Sequence, residues 1–262
     1  MPIGMIVPLQ DPTPFSPFRP EAWREALGVV ASAGFDGVEL AITNPTLLAV
    51  SEVAEALEHR SLRLLSITTG QAAALEGLSL SADDASVRRQ AVQRVCDHMA
   101  FARRFGAVVI VGSLRGGDGG LHRLCDSLSE CASFDPEVRL ALEPLNRYES
   151  RLLNSIAAAT EVIDAVGALN LGLLFDTFHA NIEEASIPDA IDQAGGRLYH
   201  VHLADSNRWV PSFGHFDFST VWRSLERIRY QHACVLEPLP KPGQQDLLAC
   251  GRMLKNQWAG KR

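Results

Sequence analysis

Four apolar runs in the second half of the chain each end in a side chain that could bind a metal ion. Glu143 and Glu237 each begin a Glu-Pro-Leu tripeptide, Asp176 ends a third run and His202 a fourth. The intervals between them are 33 (143 to 176), 26 (176 to 202) and 35 (202 to 237) positions, which are lengths of strand-helix-strand units rather than of hairpins. If the four strands are parallel neighbours, these side chains meet at one edge.

Two glutamates, one aspartate and one histidine form a hard, oxygen-rich ligand set. Such a set suits Mn²⁺, Mg²⁺ or Co²⁺ and leaves coordination positions open for a substrate, whereas structural zinc would favour thiolates. We therefore expect one divalent ion at Glu143, Asp176, His202 and Glu237, with Mn²⁺ favoured.

Each candidate ligand also has a structural explanation. A carboxylate at Glu143 or Glu237 could form an ion pair with an arginine, and Asp176 could cap the helix after its strand. We expect His200 and His202 to point to opposite faces of their strand, so that His200 packs toward the helices and His202 is the ligand.

Eight apolar runs alternate with helical patterns along the whole chain. The predicted strands lie near 3–7, 36–42, 62–69, 107–113, 138–143, 171–176, 198–203 and 232–237, and the predicted helices near 20–33, 51–60, 85–105, 121–133, 155–167, 187–194, 218–228 and 245–258. Ser155 is placed to cap the start of a helix, and Gly34, Gly106 and Gly167 to end one.

This alternation predicts an α/β fold with a parallel sheet. No Gly-x-Gly-x-x-Gly follows the first strand, which favours closure into a barrel over an open dinucleotide-binding sheet. A chain of 262 residues also fits a single (β/α)₈ TIM barrel, since these run to about 250 residues. We expect one domain, 1–262, with its site at the carboxyl ends of the strands.

Composition and charge narrow the classes of partner. A formal charge of -7 gives no electrostatic reason to bind nucleic acid. The 5 cysteines are odd in number and without CxxC spacing, which predicts free thiols in a reducing compartment. No targeting pattern or run of 18 apolar residues occurs, so we expect a cytoplasmic protein with a small-molecule partner and no membrane partner. A homo-oligomer is left open.

Polar residues just beyond the predicted strands are candidates for substrate contacts. Glu149, His179 and Arg208 lie in loops at the expected mouth, Gln71 ends the third strand and His215 follows the seventh. Such loops hold binding residues in many enzymes, although each residue could equally belong to the surface or to loop packing.

Two further features carry other expectations. Arg115 precedes the glycine-rich stretch Gly116–Gly120, which lacks the Gly-Lys-Ser/Thr ending of a nucleotide-binding loop. We expect a mobile loop over the mouth, with Arg115 facing an anionic end of the substrate. Glu39 is expected to form a structural ion pair rather than to support a metal ligand.

Several long strings resemble one known superfamily. They are Glu143–Glu149 (EPLNRYE), Asp176–Glu184 (DTFHANIEE), His200–His202 (HVH) and Asp205–Arg208 (DSNR). They are similar to the xylose-isomerase-like barrel superfamily and its keto-sugar 3-epimerase branch, and 204–209 with 214–218 are most similar to the 5-keto-L-gluconate epimerases of that branch. The resemblance implies that Glu143, Asp176, His202 and Glu237 bind the ion, that Glu143 and Glu237 exchange the substrate proton, and that Glu149, His179 and Arg208 hold substrate oxygens.

The expected function is a metal-dependent carbohydrate epimerase, an enzyme of the isomerase class. It would act at the carbon next to the ketone of a keto-sugar or keto-uronate, such as 5-keto-L-gluconate or D-tagaturonate, by two-base proton exchange through an enediolate. The alternatives are a D-tagatose/D-psicose-type ketose 3-epimerase and an aldose-ketose (hydroxypyruvate-type) isomerase. A hydrolase related to DNA-repair endonucleases would want more histidine ligands, and a sugar-sensing barrel would not need two opposed bases.

Overall fold

Eight parallel strands close into a barrel in the computed structural model, which describes residues 1–118 and 120–259. Each strand pairs with the next, and the ring closes where the first strand pairs with the last. The strands are β1 (Ile3–Pro8), β2 (Gly37–Ala41), β3 (Arg63–Thr68), β4 (Val108–Val111), β5 (Leu140–Leu142), β6 (Leu171–Asp176), β7 (Leu198–Leu203) and β8 (Cys234–Leu236). The TIM-barrel prediction and all eight predicted strands are confirmed.

The described helices surround this barrel. They are α1 (Trp23–Ser32), α2 (Val50–Glu58), α3 (Gly70–Glu76), α4 (Ala85–Arg103), α5 (Leu121–Phe134), α6 (Ile156–Val166), α7 (Thr177–Glu183), α8 (Ile187–Ala194), α9 (Phe218–Arg227) and α10 (Gln244–Ala259). The eight predicted helices are confirmed within a few residues. The helices α3 and α7 were not predicted from the sequence; they are only 7 residues each, and they begin within two residues of the ends of β3 and β6.

Local sequence signals set several of these boundaries. The Ser155 hydroxyl accepts from the backbone N–H of Ala158 and so caps α6. The predicted stops Gly34, Gly106 and Gly167 all have positive φ, 88°, 61° and 69°, a conformation that glycine adopts without steric cost. The signals at these four positions are therefore confirmed.

The core forms in two places. Most buried apolar side chains lie between the strands and the helices, while smaller clusters fill the inside of the barrel; one of these contains Ile6, Ala41, Leu65, Ala233 and Val235. Because the strands are covered by helices on the outside and by side chains on the inside, their sequences are continuous apolar runs. All five cysteines are free thiols. Among the described residues, every helix is too short or too polar to cross a bilayer.

Two irregularities in the strand pairing change which side chains face inward. The β2–β3 register shifts so that Val38 pairs with Leu64 but Glu39 with Ser66. The β6–β7 register shifts so that Leu173 pairs with Leu198 but Leu174 with His200. Each shift leaves one extra residue on the later strand, as in a β-bulge, and such bulges re-aim the side chains around them.

Gly172 in β6 permits a close approach between strands. A Cβ at this position would lie 2.5 Å from the carbonyl oxygen of Arg197 and 2.5 Å from a ring carbon of Tyr199. We predict that Gly172→Ala destabilises the protein by about 1–3 kcal/mol, because overpacking must displace backbone or ring. The urea-unfolding midpoint measures this effect. Gly196→Ala, where a Cβ would meet nothing within 4 Å, is the matched control, and equal midpoints for the two variants would contradict the prediction.

Candidate active site

Four buried side chains converge at the carboxyl ends of β5 to β8. Glu143 directly follows β5, Asp176 ends β6, His202 lies in β7 and Glu237 directly follows β8. Their ligand atoms all lie within 4.8 Å of one another. The Nδ1 atom of His202 is 3.4 Å from Glu143 Oε1, 3.2 Å from Glu237 Oε2 and 3.9 Å from Asp176 Oδ2. The four residues that the strand spacing grouped therefore lie together in the structure.

The facing atoms of this cluster have unmet hydrogen-bonding capacity. Glu143 Oε1, Asp176 Oδ2 and His202 Nδ1 are buried without a hydrogen-bond partner, although buried polar atoms nearly always have one. Burial alone would lower the pKa of His202, but the nearby carboxylates of Glu237, Glu39 and Glu143 raise it well above its usual range. A cluster so rich in carboxylates, with unpartnered atoms facing one another, fits a divalent cation.

Asp176 performs both of the roles that the sequence left open. Its Oδ1 accepts from the backbone N–H groups of Phe178 at 2.6 Å and His179 at 3.3 Å, which caps α7. Its Oδ2 faces the cluster. Capping fixes the carboxylate, so that one oxygen is directed at the ligand position.

The ion-pair alternative applies only in part. Glu237 Oε2 lies 3.5 Å from Arg208 Nη2, whereas Glu143 has no arginine within ion-pair distance among the described residues. Gly112 lies against Glu143 instead, since a Cβ there would collide with Glu143 Oε2. The absence of that Cβ leaves room for the carboxylate.

Glu39 supports His202 from inside the barrel. Its Oε2 is 3.1 Å from His202 Nε2, 3.2 Å from His200 Nε2 and accepts from the Ser66 hydroxyl at 2.5 Å. Burial alone would raise the pKa of Glu39, but the two imidazoles hold it far below its usual range. An ionised carboxylate beside Nε2 keeps the proton on that nitrogen and leaves Nδ1 free to bind a metal.

One expectation about this region was wrong. His200 and His202 do not point to opposite faces, because residues two apart in a strand share a face, and both rings contact Glu39 inside the barrel. Glu39 forms the expected ion pair, and its partner His202 is also a member of the four-residue cluster. The β-bulges that pair Glu39 with Ser66 and Leu174 with His200 have no clear signal in the sequence.

A cavity of about 260 Å³ opens above the cluster at the mouth of the barrel. This volume lies just below the roughly 300–1,000 Å³ typical of ligand pockets, which fits a small molecule. The polar residues that line it include Glu143, Glu237 and four of the five predicted substrate residues, namely Gln71, Glu149, His179 and Arg208. His215 is exposed and lies outside this lining; its backbone N–H donates to the Ser206 hydroxyl.

Asn146 sets the tautomer of His179. The backbone N–H of Asn146 donates to His179 Nδ1 at 3.2 Å and its side-chain amide lies 2.8 Å away, so the ring proton is on Nε2. That Nε2 is buried without a hydrogen-bond partner and lies 3.8 Å from Asp176 Oδ2. His179 thus offers an unused donor beside the cluster. Asn146 lies in the string Glu143–Glu149 that carries the resemblance, but its contact with His179 was not predicted from the sequence.

Arg208 is held between rings and carboxylates. Its guanidinium lies 4.3 Å from the ring centre of Phe15 and 4.9 Å from that of Phe178, and its Nη1 donates to Glu149 at 2.6 Å. Burial alone would lower the pKa of Arg208, but the surrounding carboxylates, Glu237 first, raise it. Arg208 is therefore a fixed cation at the cavity wall.

Asp205 organises the loop that carries Arg208. Its Oδ1 accepts from the backbone N–H groups of Ser206 at 2.7 Å and Phe216 at 3.0 Å, and its Oδ2 from that of Ser212 at 2.8 Å. Arg208 itself has a φ of 60°, a strained conformation for a residue other than glycine. Asp205 lies in the string Asp205–Arg208 that carries the family resemblance, but its role depends on loop contacts that the sequence does not show.

Arg115 does not face the cavity, so the expectation that it meets the substrate was wrong. It is fully buried, and its guanidinium donates to the carbonyl oxygens of Gly116 at 2.8 Å and Leu153 at 3.1 Å and to the Ser150 hydroxyl at 3.2 Å. Burial lowers the pKa of Arg115 to about 10. The side chain fastens two loops together. Within the predicted loop Gly116–Gly120, Gly119 lies outside the described residues.

Metal affinity tests the role of Glu39. We predict that Glu39→Gln weakens Mn²⁺ binding by about 10–100-fold, because the amide no longer fixes the proton on His202 Nε2. Calorimetric titration of the metal-free protein with Mn²⁺ measures the effect. The control is Glu55→Gln, the same change at an exposed position of α2. Unchanged affinity in Glu39→Gln, with a folded protein, would show that Glu39 does not position the ligand.

Comparison with known proteins identifies the family of this chain. Residues 27–255 match the family described as xylose isomerase-like TIM barrel. The L-ribulose 3-epimerase of Mesorhizobium japonicum is 30% identical over 213 residues, which cover 76% of this chain and 69% of that protein. The D-psicose 3-epimerase of Enterocloster bolteae is 40% identical over 123 residues, which cover 47% of this chain and only 39% of that protein.

A solved structure confirms the fold over nearly the whole chain. The crystal structure of D-psicose 3-epimerase with D-tagatose from Clostridium cellulolyticum H10 has a TM-score of 0.84 and 22% identity, and the match covers 98% of this chain and 99% of that one. The two sequence relatives carry the names of epimerases, which are enzymes of the isomerase class. The chain therefore belongs to the xylose isomerase-like TIM-barrel family.

Proposed function

We propose that the protein is a divalent-metal-dependent epimerase that acts at the carbon next to the ketone of a ketose. The observation that carries this proposal is the set of buried, unpartnered atoms that Glu143, Asp176 and His202 direct at one point beside the cavity. The epimerase names of the relatives support it. We also propose that residues 1–262 act as one domain, since β1 and β8 pair to close the barrel.

Glu143 and Glu237 are proposed as the two bases. Epimerisation removes a proton from one face of a carbon and returns one to the other face, so two groups on different sides are required. The two glutamates follow strands that are three places apart in a ring of eight, and both line the cavity. In each, one oxygen faces His202, and the other, Oε2 of Glu143 and Oε1 of Glu237, is the one that would accept and return the proton.

The four clustered residues would hold the divalent ion, with Mn²⁺ favoured over Mg²⁺ and Co²⁺. Bound there, the ion would supply positive charge that stabilises the enediolate relative to the ketone, an effect worth several kcal/mol in enzymes of this kind. Glu39 keeps His202 oriented, and the cap at α7 keeps Asp176 oriented.

Four polar residues are proposed to hold the sugar. His179 Nε2 and the Arg208 guanidinium would donate to substrate oxygens, while Glu149 and Gln71 Oε1 would accept from hydroxyls. In support, His179 Nε2, Arg208 Nε and Gln71 Oε1 are all buried without a hydrogen-bond partner, and all four residues line the cavity. We assign no substrate contact to His215.

The charge of the cavity favours a neutral ketose over the keto-uronate that the sequence resemblance favoured. Arg208 is the one arginine or lysine among the described lining residues, and it is already engaged by Glu149 and Glu237. The carboxylate of a uronate would lie beside Glu143, Glu149 and Glu237 without an unpaired cationic side chain to bind it. The repulsion between these carboxylates would weaken binding of the uronate. Psicose and ribulose, named in the relatives, carry no carboxylate.

Substitution of either base tests the mechanism. We predict that Glu143→Gln and Glu237→Gln each lower the rate of epimerisation by about 10²–10⁴-fold, because an amide cannot take up the proton. In D₂O, each variant should still exchange the substrate C–H with solvent, but with only one of the two epimers, because one base remains. NMR of both epimers measures exchange and conversion together. Near-normal conversion in either variant would contradict the two-base assignment.

Metal content serves as the control for these variants. Elemental analysis should give one ion per chain in the wild type, whereas a hydrolase with a multinuclear centre would give more. A variant that binds Mn²⁺ with unchanged stoichiometry but has lost conversion has lost a base rather than the metal site.

Substrate selectivity tests the neutral-ketose proposal. We predict that kcat/KM for neutral ketoses, followed by chromatography of the products, exceeds that for the corresponding keto-uronates at least about tenfold, which corresponds to 1.4 kcal/mol. Glu149→Gln should shift this ratio toward the uronates, because it releases Arg208 from its partner. A wild-type preference for uronates would contradict the proposal, and accumulation of an aldose would identify an isomerase.

A further inference from the structure

A second cavity lies at the opposite end of the barrel from the mouth. Its volume is about 110 Å³. It is formed at the amino ends of β3, β4, β7 and β8 and by the segments that precede them, and its polar side chains are Arg63, Arg139, Tyr199, His200, Gln231 and His232. We name it the basal cavity. The proposed epimerase reaction makes no use of it.

The wall of the basal cavity is positively charged. It contains two arginines and, among the described residues, no acidic side chain. Arg139 lies over the Tyr199 ring at 5.4 Å and its Nη1 is 3.5 Å from His232 Nδ1, while neither Arg139 nor Arg63 has a carboxylate within ion-pair distance in the part of the chain that the structure describes. Two arginines without a carboxylate partner on one concave surface leave both guanidinium groups free to bind an anionic ligand.

His200 adds a buried, unused atom to this wall. The residue is fully buried and lines the cavity, yet its Nδ1 has no hydrogen-bond partner. Its Nε2 lies 3.2 Å from the carboxylate of Glu39, so in neutral His200 the proton is on Nε2 and Nδ1 is an acceptor. The wall thus combines guanidinium donors with one acceptor that faces no donor of the protein.

We propose that the basal cavity binds inorganic phosphate or a small molecule with a phosphate group that keeps a P–OH. The charged oxygens would accept from Arg63 and Arg139, since arginine and phosphate form strong charge-assisted hydrogen bonds. The P–OH would donate to His200 Nδ1. A cavity of about 110 Å³ admits one such group but not a nucleotide.

Phosphate titration of the metal-loaded protein tests this proposal. Calorimetry with inorganic phosphate is compared between the wild type, Arg139→Gln and the double variant Arg63→Gln/Arg139→Gln. The matched control is Arg89→Gln, the same change at an exposed position of α4. Thermal unfolding with and without phosphate provides a second readout, because a ligand of the folded state raises Tm.

The expected result is saturable binding that weakens at least about tenfold in Arg139→Gln, as for the loss of one charge-assisted hydrogen bond. Binding should be undetectable in the double variant and unchanged in Arg89→Gln. Sulfate, which has no proton to donate near neutral pH, should bind several-fold more weakly than phosphate. Equal phosphate affinity in wild type and double variant would place the anion elsewhere, for example at the metal, and equal affinity for sulfate and phosphate would remove His200 from the site; either result overturns the proposal.

Discussion

The hydrogen bond between Glu39 and His202, buried inside the barrel, is the interaction on which the site depends. His202 has three carboxylates within 4 Å of its Nδ1 and a fourth at 3.1 Å from its Nε2. So many carboxylates can be buried away from water only where cations or hydrogen-bond donors compensate their charge. The imidazole is the common neighbour of all four, and its orientation decides which nitrogen faces the ligand position. Glu39 sets that orientation, and the carboxylates in front of His202 then provide a place for a cation.

The backbone of the barrel makes this arrangement possible at two irregular points. The β-bulges in β3 and β7 bring Ser66, His200 and His202 to the same interior layer as Glu39. Regular strands would place residues strictly alternately inside and outside the barrel. The polar layer beneath the mouth is therefore a product of local departures from ideal strand geometry, and it shares the barrel interior with an apolar cluster that includes Leu65 and Val235.

The sequence predicted the architecture and the ligand set because both are repeated signals. Eight apolar runs separated by helical patterns define the barrel, and Glu143, Asp176, His202 and Glu237 each end one of these runs. The features that were not predicted from the sequence depend on individual contacts in the folded protein or on very short elements. The contacts of Glu39 with the two histidines require β-bulges, and no residue type in the sequence predicts a bulge at those positions. The burial of Arg115 depends on hydrogen bonds to the carbonyl oxygens of Gly116 and Leu153, which come close to it only when the loops fold. The helices α3 and α7 are too short to show a periodic pattern.

Charge balance explains why one arginine must be so rigidly held at the mouth. The carboxylates of Glu143, Glu149, Asp176 and Glu237 carry a formal charge of −4. A divalent ion bound there would, together with Arg208, contribute +3, which would leave about −1 before Glu39 is counted. Arg208 is the protein's contribution to this balance at the cavity wall. Its place between Phe15 and Phe178 and the loop ordered by Asp205 keep its charge beside Glu149 and Glu237. In so acidic a cavity, a neutral molecule with many hydroxyl groups adds hydrogen bonds without adding charge. A further anion would need a cation to compensate its charge, and the one cationic side chain of the described wall, Arg208, is already paired with Glu149 and Glu237.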